Sequence, residues 1–257
     1  MTLQLYSSRI GTGPDVVLLH GLFGMGGNLG ALARALQGSF CVHSLDLPNH
    51  GRSDWMENMS IDSLAAAVQA WLRREGIVEA SLVGHSLGGK VAMRLALDDP
   101  QQVARLVVAD IAPVAYPAHH DEVFAALAAV AELAPSSRRA AETCMAQFID
   151  EPGVRQFLSL SLKRDADGAY RWRFNLEGLQ RNYAAVREEL LAEQAFSKPV
   201  LFVKGELSDY IQPQHRATIE SLFPHAQLKM LPGCGHWLHA EQPRLFNAVV
   251  QRFLLAP

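Results

Sequence analysis

The chain has 257 residues, 49% of them hydrophobic and 19% charged, with a formal net charge of −3 at neutral pH. That is an ordinary globular mix, long enough to bury a core without disulfides or metal, and it supplies no basic excess that would imply nucleic acid as a partner. The three cysteines, Cys41, Cys144 and Cys234, form neither a disulfide framework nor a zinc-ligand spacing; no secretory signal and no apolar run of membrane-spanning length is visible, so a cytoplasmic location is expected and the oligomeric state is left open.

In chain order, residues 15–21 form a short apolar run ending in glycine, the pattern of a strand buried on both faces. Further strands are predicted at 39–46, 80–84, 103–110, 198–205 and 226–231. Helical spacing fills the gaps at about 28–37, 60–75, 87–98, 213–222 and 239–254, with Ser60 as an N-cap. Strands alternating with helices predict the α/β class, a mostly parallel central sheet covered by helices on both faces. The alternation stops between about 114 and 196, where Val123, Leu127, Val130 and Leu133 keep helical spacing, Pro135 and Glu151-Pro152-Gly153 break it, and Asp167-Gly168 signals a turn. The expected organisation is a core of residues 1–113 and 197–257, with 114–196 a mostly helical cap over the strand ends, where such sheets bind ligands.

Three motifs carry chemistry. Gly84-His85-Ser86-Leu87-Gly88-Gly89 follows a predicted strand and opens a helix. A nucleophilic serine on that sharp turn needs neighbours almost free of side chains, which Gly84 and Gly88 supply. Gly233-Cys234-Gly235-His236-Trp237 lies in a loop between the last strand and last helix, where a histidine can reach a serine hydroxyl. His20-Gly21-Leu22-Phe23-Gly24 follows the first buried strand. An oxyanion formed at Ser86 needs two backbone N–H donors: Leu87 offers one, and this loop the other, Leu22 before Phe23, with His20 bracing the loop. Phe23, Trp172, Phe174 and Trp237 are candidate contacts for an acyl chain; for Trp172 and Phe174, packing within the cap is an equal alternative.

Taken with Asp46-Leu47-Pro48-Asn49-His50-Gly51-Arg52-Ser53 and Lys90 after the glycine pair, these motifs resemble the α/β-hydrolase family over nearly the whole chain. Asn49-His50-Gly51, Gly88-Gly89-Lys90, Asp110-Ile111-Ala112-Pro113 and Trp172-Arg173-Phe174-Asn175 resemble in particular the YbfF-type bacterial esterases, whose eukaryotic relatives are mitochondrial abhydrolase-domain proteins. The resemblance implies the α/β-hydrolase fold and a serine hydrolase acting on a small-molecule acyl ester or thioester through a Ser-His-Asp triad and an acyl-enzyme. It implies no metal and no other cofactor. A cofactor-free haloperoxidase or perhydrolase, or a carbon–carbon bond hydrolase, would keep the same triad, and a non-catalytic binding scaffold would keep the same fold.

Two aspartates satisfy the order Ser…Asp…His. Asp209 follows the strand at 199–205, the usual location of the acid in this fold. Asp110 ends the preceding core strand, and the YbfF-type resemblance tips the choice narrowly toward it. Geometry at the His236 ring decides between them. A rival from another class is a dinucleotide site, with Gly21, Gly24 and Gly26 after a strand and Asp46 ending the next as a ribose-binding acid; its glycine spacing is wrong, and it leaves Ser86 and His236 idle. The ten histidines are scattered, and His239 reads as a helix-end residue rather than a ligand.

Overall fold

The computed structural model describes residues 3–256. Its strands are β1 (Ser7–Ile10), β2 (Asp15–Leu19), β3 (Cys41–Leu45), β4 (Ala80–His85), β5 (Val103–Ala109), β6 (Leu162–Arg164), β7 (Tyr170–Trp172), β8 (Val200–Gly205) and β9 (Ala226–Leu231). Its α-helices are α1 (Gly30–Leu36), α2 (Ile61–Arg74), α3 (Leu87–Asp98), α4 (Asp121–Leu133), α5 (Arg138–Met145), α6 (Pro152–Ser159), α7 (Leu176–Arg181), α8 (Arg216–Leu222), α9 (Leu238–Glu241) and α10 (Pro243–Leu254). Among the described residues one sheet runs in the order β1-β3-β2-β4-β5-β8-β9. Every pairing in it is parallel except that of β1 with β3.

Alternation along the strands divides the core into two layers. Val16 and Leu18 of β2 pack with Leu32, Leu36, Phe246 and Val250 of α1 and α10 on one face. Val17 and Leu19 join Leu64, Val68, Val91 and Leu95 of α2 and α3 on the other. A register slip of one residue would exchange these faces, so the apolar pattern itself fixes the strand pairing. Both faces being covered explains why the central strands read as continuous apolar runs rather than alternating ones. Among the described residues no helix is long and apolar enough to cross a membrane.

Residues 114–196 leave the sheet after β5 and return at β8, carrying α4 to α7 and the β6–β7 hairpin. Side chains tie this segment to the strand-end loops. Lys90 Nζ on α3 donates to the carbonyls of Val114, Arg187 and Glu188. Ser161 Oγ donates to the Phe23 carbonyl at 2.6 Å, and Asn175 donates its backbone N–H to the Asn49 carbonyl at 2.9 Å.

The sequence reading differs from the structure in three places. β1 was not anticipated: Ser-Ser-Arg-Ile is short, polar and half exposed, because an edge strand needs no apolar face to be held by its neighbour. The β6–β7 hairpin interrupts the segment read as mostly helical, and the Asp167-Gly168 turn signal is its connection, with Gly168 at φ +86°. The last predicted helix is two, because Pro243 lacks the N–H to continue α9 and instead begins α10.

Asp46 anchors the loop that follows β3. Its buried carboxylate accepts the Gly26 N–H at 2.7 Å and the Arg52 N–H at 2.9 Å. Gly51 packs so tightly on it, at φ +59°, that an added Cβ would lie 2.0 Å from Oδ2. The carboxylate is consumed inside the protein, which removes it as a ribose-binding acid. Asp46→Ala would leave two amides without acceptors and is expected to lower the unfolding free energy by about 3 kcal/mol, read in urea as an earlier midpoint with an unchanged slope.

Candidate active site

Ser86 sits at the junction of β4 and α3 with φ +51° and ψ −118°, a conformation rarely held by a residue with a side chain. Two close approaches enforce it. A Cβ on Gly84 would lie 2.2 Å from the Gly88 carbonyl oxygen, and one on Gly88 would lie 2.3 Å from that of Leu19. The Ser86 N–H is held by the Ala109 carbonyl at 3.0 Å, so the turn is fastened to β5. Ser86 is thereby raised to the wall of a cavity that is partly open to solvent. Gly21, Leu22, Phe23, Leu87, His236 and Trp237 share that wall, with Tyr116, His120, Val154, Phe157, Tyr183 and Arg187 from the 114–196 segment.

At the end of β5, Asp110 is wholly buried with φ +54°. Its carboxylate meets three donors: His236 Nδ1 at 2.8 Å, the Gly205 N–H at 2.9 Å, and the Ser208 hydroxyl. A carboxylate accepting from Nδ1 assigns the ring proton to that nitrogen and leaves Nε2 as the acceptor. Tyr210 stacks on the imidazole with centroids 4.0 Å apart. His85 Nε2 donates to the His236 carbonyl at 2.9 Å and steadies the same loop from below. Asp209 is exposed, and its Oδ1 accepts from Gln212 at 2.9 Å. The loop after β8 that carries Asp209 therefore reaches the histidine's partner through the neighbouring Ser208. Nothing in the sequence marked Ser208 or His85, since a hydroxyl and an imidazole in a loop have many roles.

On the opposite side, the Phe23 N–H is taken by His50 Nε2 at 3.2 Å, which leaves Leu22 as the free donor of that loop. Gly21 lets the loop approach: a Cβ there would lie 3.3 Å from Ser86 Cβ. Leu87 is the first residue of α3, where backbone N–H groups have no intrahelical acceptor. Leu22 and Leu87 thus flank Ser86 with amides available to an oxygen. Trp172 and Phe174 stand elsewhere. They stack on each other 5.1 Å apart, Trp172 Nε1 donates to the Leu127 carbonyl, and Phe174 packs behind Phe23. Neither lines the cavity, because the hairpin that Trp172 ends and Phe174 follows turns them into the packing of the segment. Trp237 does line it, with Phe157 5.8 Å away. His239 is buried in α9, its ring 4.4 Å from that of His85.

One group of side chains has donor atoms close enough for a metal among the described residues: Asp15, Cys41 and His43, all within 4.8 Å of one another. Cys41 and His43 alternate on β3 and Asp15 faces them from β2, a grouping invisible to linear spacing. It lies at the starts of β2 and β3, none of it lines the cavity, and the Arg9 guanidinium, 2.9 Å from Cys41 Sγ, opposes a cation there.

Residues 16–249 match the model of the alpha/beta hydrolase family. The chain is 39% identical to the sn-1-specific diacylglycerol lipase ABHD11 of Mus musculus, over 94% of this chain and 81% of that protein. It is 38% identical to esterase YbfF of Escherichia coli K12, over 93% of this chain and 92% of that one. Among solved structures, a marine microorganism esterase superimposes with a TM-score of 0.94 at 35% identity, covering 98% of this chain and 99% of its own.

The loops beside Ser86 are braced by neutral histidines. His20 donates from Nδ1 to the Gly21 carbonyl and accepts the Leu47 N–H at Nε2; His50 donates to the Pro48 carbonyl and accepts the Phe23 N–H. Protonation would set N–H against N–H. Burial above all holds His20 down to about 4 and His50 down to about 3, from an ordinary value of 6.5. The unfolded chain takes up these protons near pH 6.5 and the folded protein does not, so stability is complete above that pH and declines as pH falls toward 4 and then 3. Urea midpoints measured from pH 7 to pH 4 should fall, and His50→Gln, which keeps a donor and an acceptor without titrating, should flatten the decline.

Proposed function

From the premise that the chain belongs to the α/β-hydrolase family and is a carboxylic ester hydrolase, we propose that Ser86, His236 and Asp110 form its catalytic triad and that cleavage proceeds through an acyl-enzyme. The observation that carries this reading is the strained Ser86 turn sharing a cavity with His236, whose Nδ1 is held by the buried Asp110 carboxylate. In this mechanism Ser86 Oγ attacks the acyl carbonyl while His236 Nε2 takes its proton. The new oxyanion is stabilised by the Leu22 and Leu87 amides. His236 then protonates the leaving group, and the acyl-Ser86 ester is hydrolysed by a water that His236 deprotonates in turn. Asp110 orients the imidazole and offsets its charge when protonated. Substrates are small acyl esters or thioesters.

The segment 114–196 acts as a cap in this reading. It supplies Val123, Val154, Phe157, Leu158 and Val186 to the cavity wall, an apolar lining suited to an acyl chain. Burying each methylene is worth about 0.8 kcal/mol, or roughly fourfold in kcat/KM. A series of p-nitrophenyl esters should therefore rise with acyl length and collapse once the cavity is full; a flat profile would mean that the cap does not define the pocket.

The triad assignment has a direct test. Ser86→Ala should abolish ester turnover and labelling by a fluorophosphonate. Asp110→Asn should lower kcat steeply, by as much as about ten-thousand-fold on the precedent of serine proteases, with the fold intact by circular dichroism. Asp209→Asn, altering an exposed side chain, should behave as wild type. Collapse in Asp209→Asn with near-normal Asp110→Asn would refute the assignment.

A further inference from the structure

The cavity wall holds two cationic side chains, Lys90 and Arg187, and no carboxylate. Among the described residues neither takes part in an ion pair. Buried or half-buried charges ordinarily find partners, so the two must be accounted for. Lys90 is: its three N–H groups have three carbonyl acceptors, and its role is to tie α3 to the cap. Arg187 is not. Nη1 donates to the Tyr116 carbonyl and the guanidinium lies 4.8 Å over the Tyr183 ring, but Nε is enclosed with no acceptor and Nη2 has none in the protein. Nη2, unanswered and not enclosed, is free to meet a carboxylate or phosphate oxygen.

No carboxylate accompanies Arg187 on the cavity wall, although Glu188 and Glu189 follow it in the chain. His120, whose Nδ1 is bonded to the Tyr183 hydroxyl, stands beside it on the cavity wall. Burial first, then His119, His236 and Arg187, hold the His120 imidazole down to about 3. Burial first, then Arg187, holds the Lys90 amine down to about 8, against the opposing pull of Glu188 and Glu189. Burial disfavours any charge, but the smaller contribution of Arg187 to both shifts has the sign that attracts an anion.

Resting on the reading of this cavity as the acyl-ester site, we infer that Arg187, beside His120, forms an anion subsite and that the preferred substrates carry a carboxylate or phosphate in addition to the scissile ester. The anion can belong to the acyl chain or to the leaving group. Two matched pairs of esters separate these: mono-p-nitrophenyl adipate against p-nitrophenyl hexanoate, and 4-carboxyphenyl hexanoate against phenyl hexanoate.

The expected result is a preference of about tenfold or more in kcat/KM for the charged member of one pair, weakening as salt screens the interaction. Arg187→Met should erase most of that ratio, whatever it does to the neutral ester, and Arg187→Lys should restore part of it. A purely structural Arg187 would change both members of a pair alike. Neutral esters matching or beating their charged partners in both pairs, or a ratio untouched in Arg187→Met, would overturn the inference while leaving the hydrolase reading standing. If no ester is turned over, that reading fails, and calorimetry on Ser86→Ala still decides the subsite. Monomethyl adipate binding more tightly than methyl hexanoate, with the difference lost on adding Arg187→Met, supports it; equal binding refutes it.

Discussion

A carboxylate with no exposed surface holds the imidazole of His236 at the cavity, and much of the surrounding structure serves that one hydrogen bond. Asp110 leaves β5 in a left-handed conformation, its own N–H fastened to the Val203 carbonyl of β8. The Gly205 N–H at the end of β8 and the Ser208 hydroxyl beyond it close on the carboxylate oxygens. The parallel register of β5 with β8, Ala109 opposite Val203, is thus what sets the acid within reach of the loop after β9. A charge or dipole buried this deeply is tolerated only when its acceptor capacity is filled, and here the histidine is one of the three donors that fill it.

The serine side depends on the same sheet by a different means. There the constraint is steric: β4 runs into α3 with no room for a Cβ at Gly84 or Gly88, and the strain at Ser86 is offset by the buried face of α3 packed on β4 and β5. The facing loop is kept in place by His20 and His50, neutral imidazoles that accept backbone amides. Asn49 extends that bracing to the 114–196 segment, binding the Met56 backbone in both directions and taking a bond from the Asn175 side chain. Serine, histidine and amides are therefore fixed by three separate strand ends.

Much of this was legible because it is local. The apolar runs of β2 to β5, the elbow around Ser86 and the loop around His236 each announce themselves within a few residues. The motifs Asn49-His50-Gly51 and Trp172-Arg173-Phe174-Asn175 were legible as sequence but not as what they are, two sides of one contact between the 114–196 segment and the loop after β3. What the sequence left undecided is long-range. Asp110 and Asp209 both satisfy the chain order, and only the β5–β8 pairing turns one carboxylate inward while the other meets solvent and Gln212. Phe174 has the chemistry of an acyl contact, but the hairpin before it, too short and polar to be read as strands, turns it behind Phe23. The Asp15–Cys41–His43 grouping and the cation of Arg187 are likewise products of tertiary proximity rather than of spacing.

The central claim is that an acyl group passes through a covalent bond to Ser86. Rapid quenching of the protein in acid during turnover of a p-nitrophenyl ester, followed by intact mass and peptide mapping, reads that bond directly. The account predicts a single added acyl mass, confined to the peptide containing Ser86 and enriched when Asp110 is replaced by asparagine if deacylation is slowed more than acylation. Acyl mass on another residue, or rapid turnover in Ser86→Ala, would contradict it.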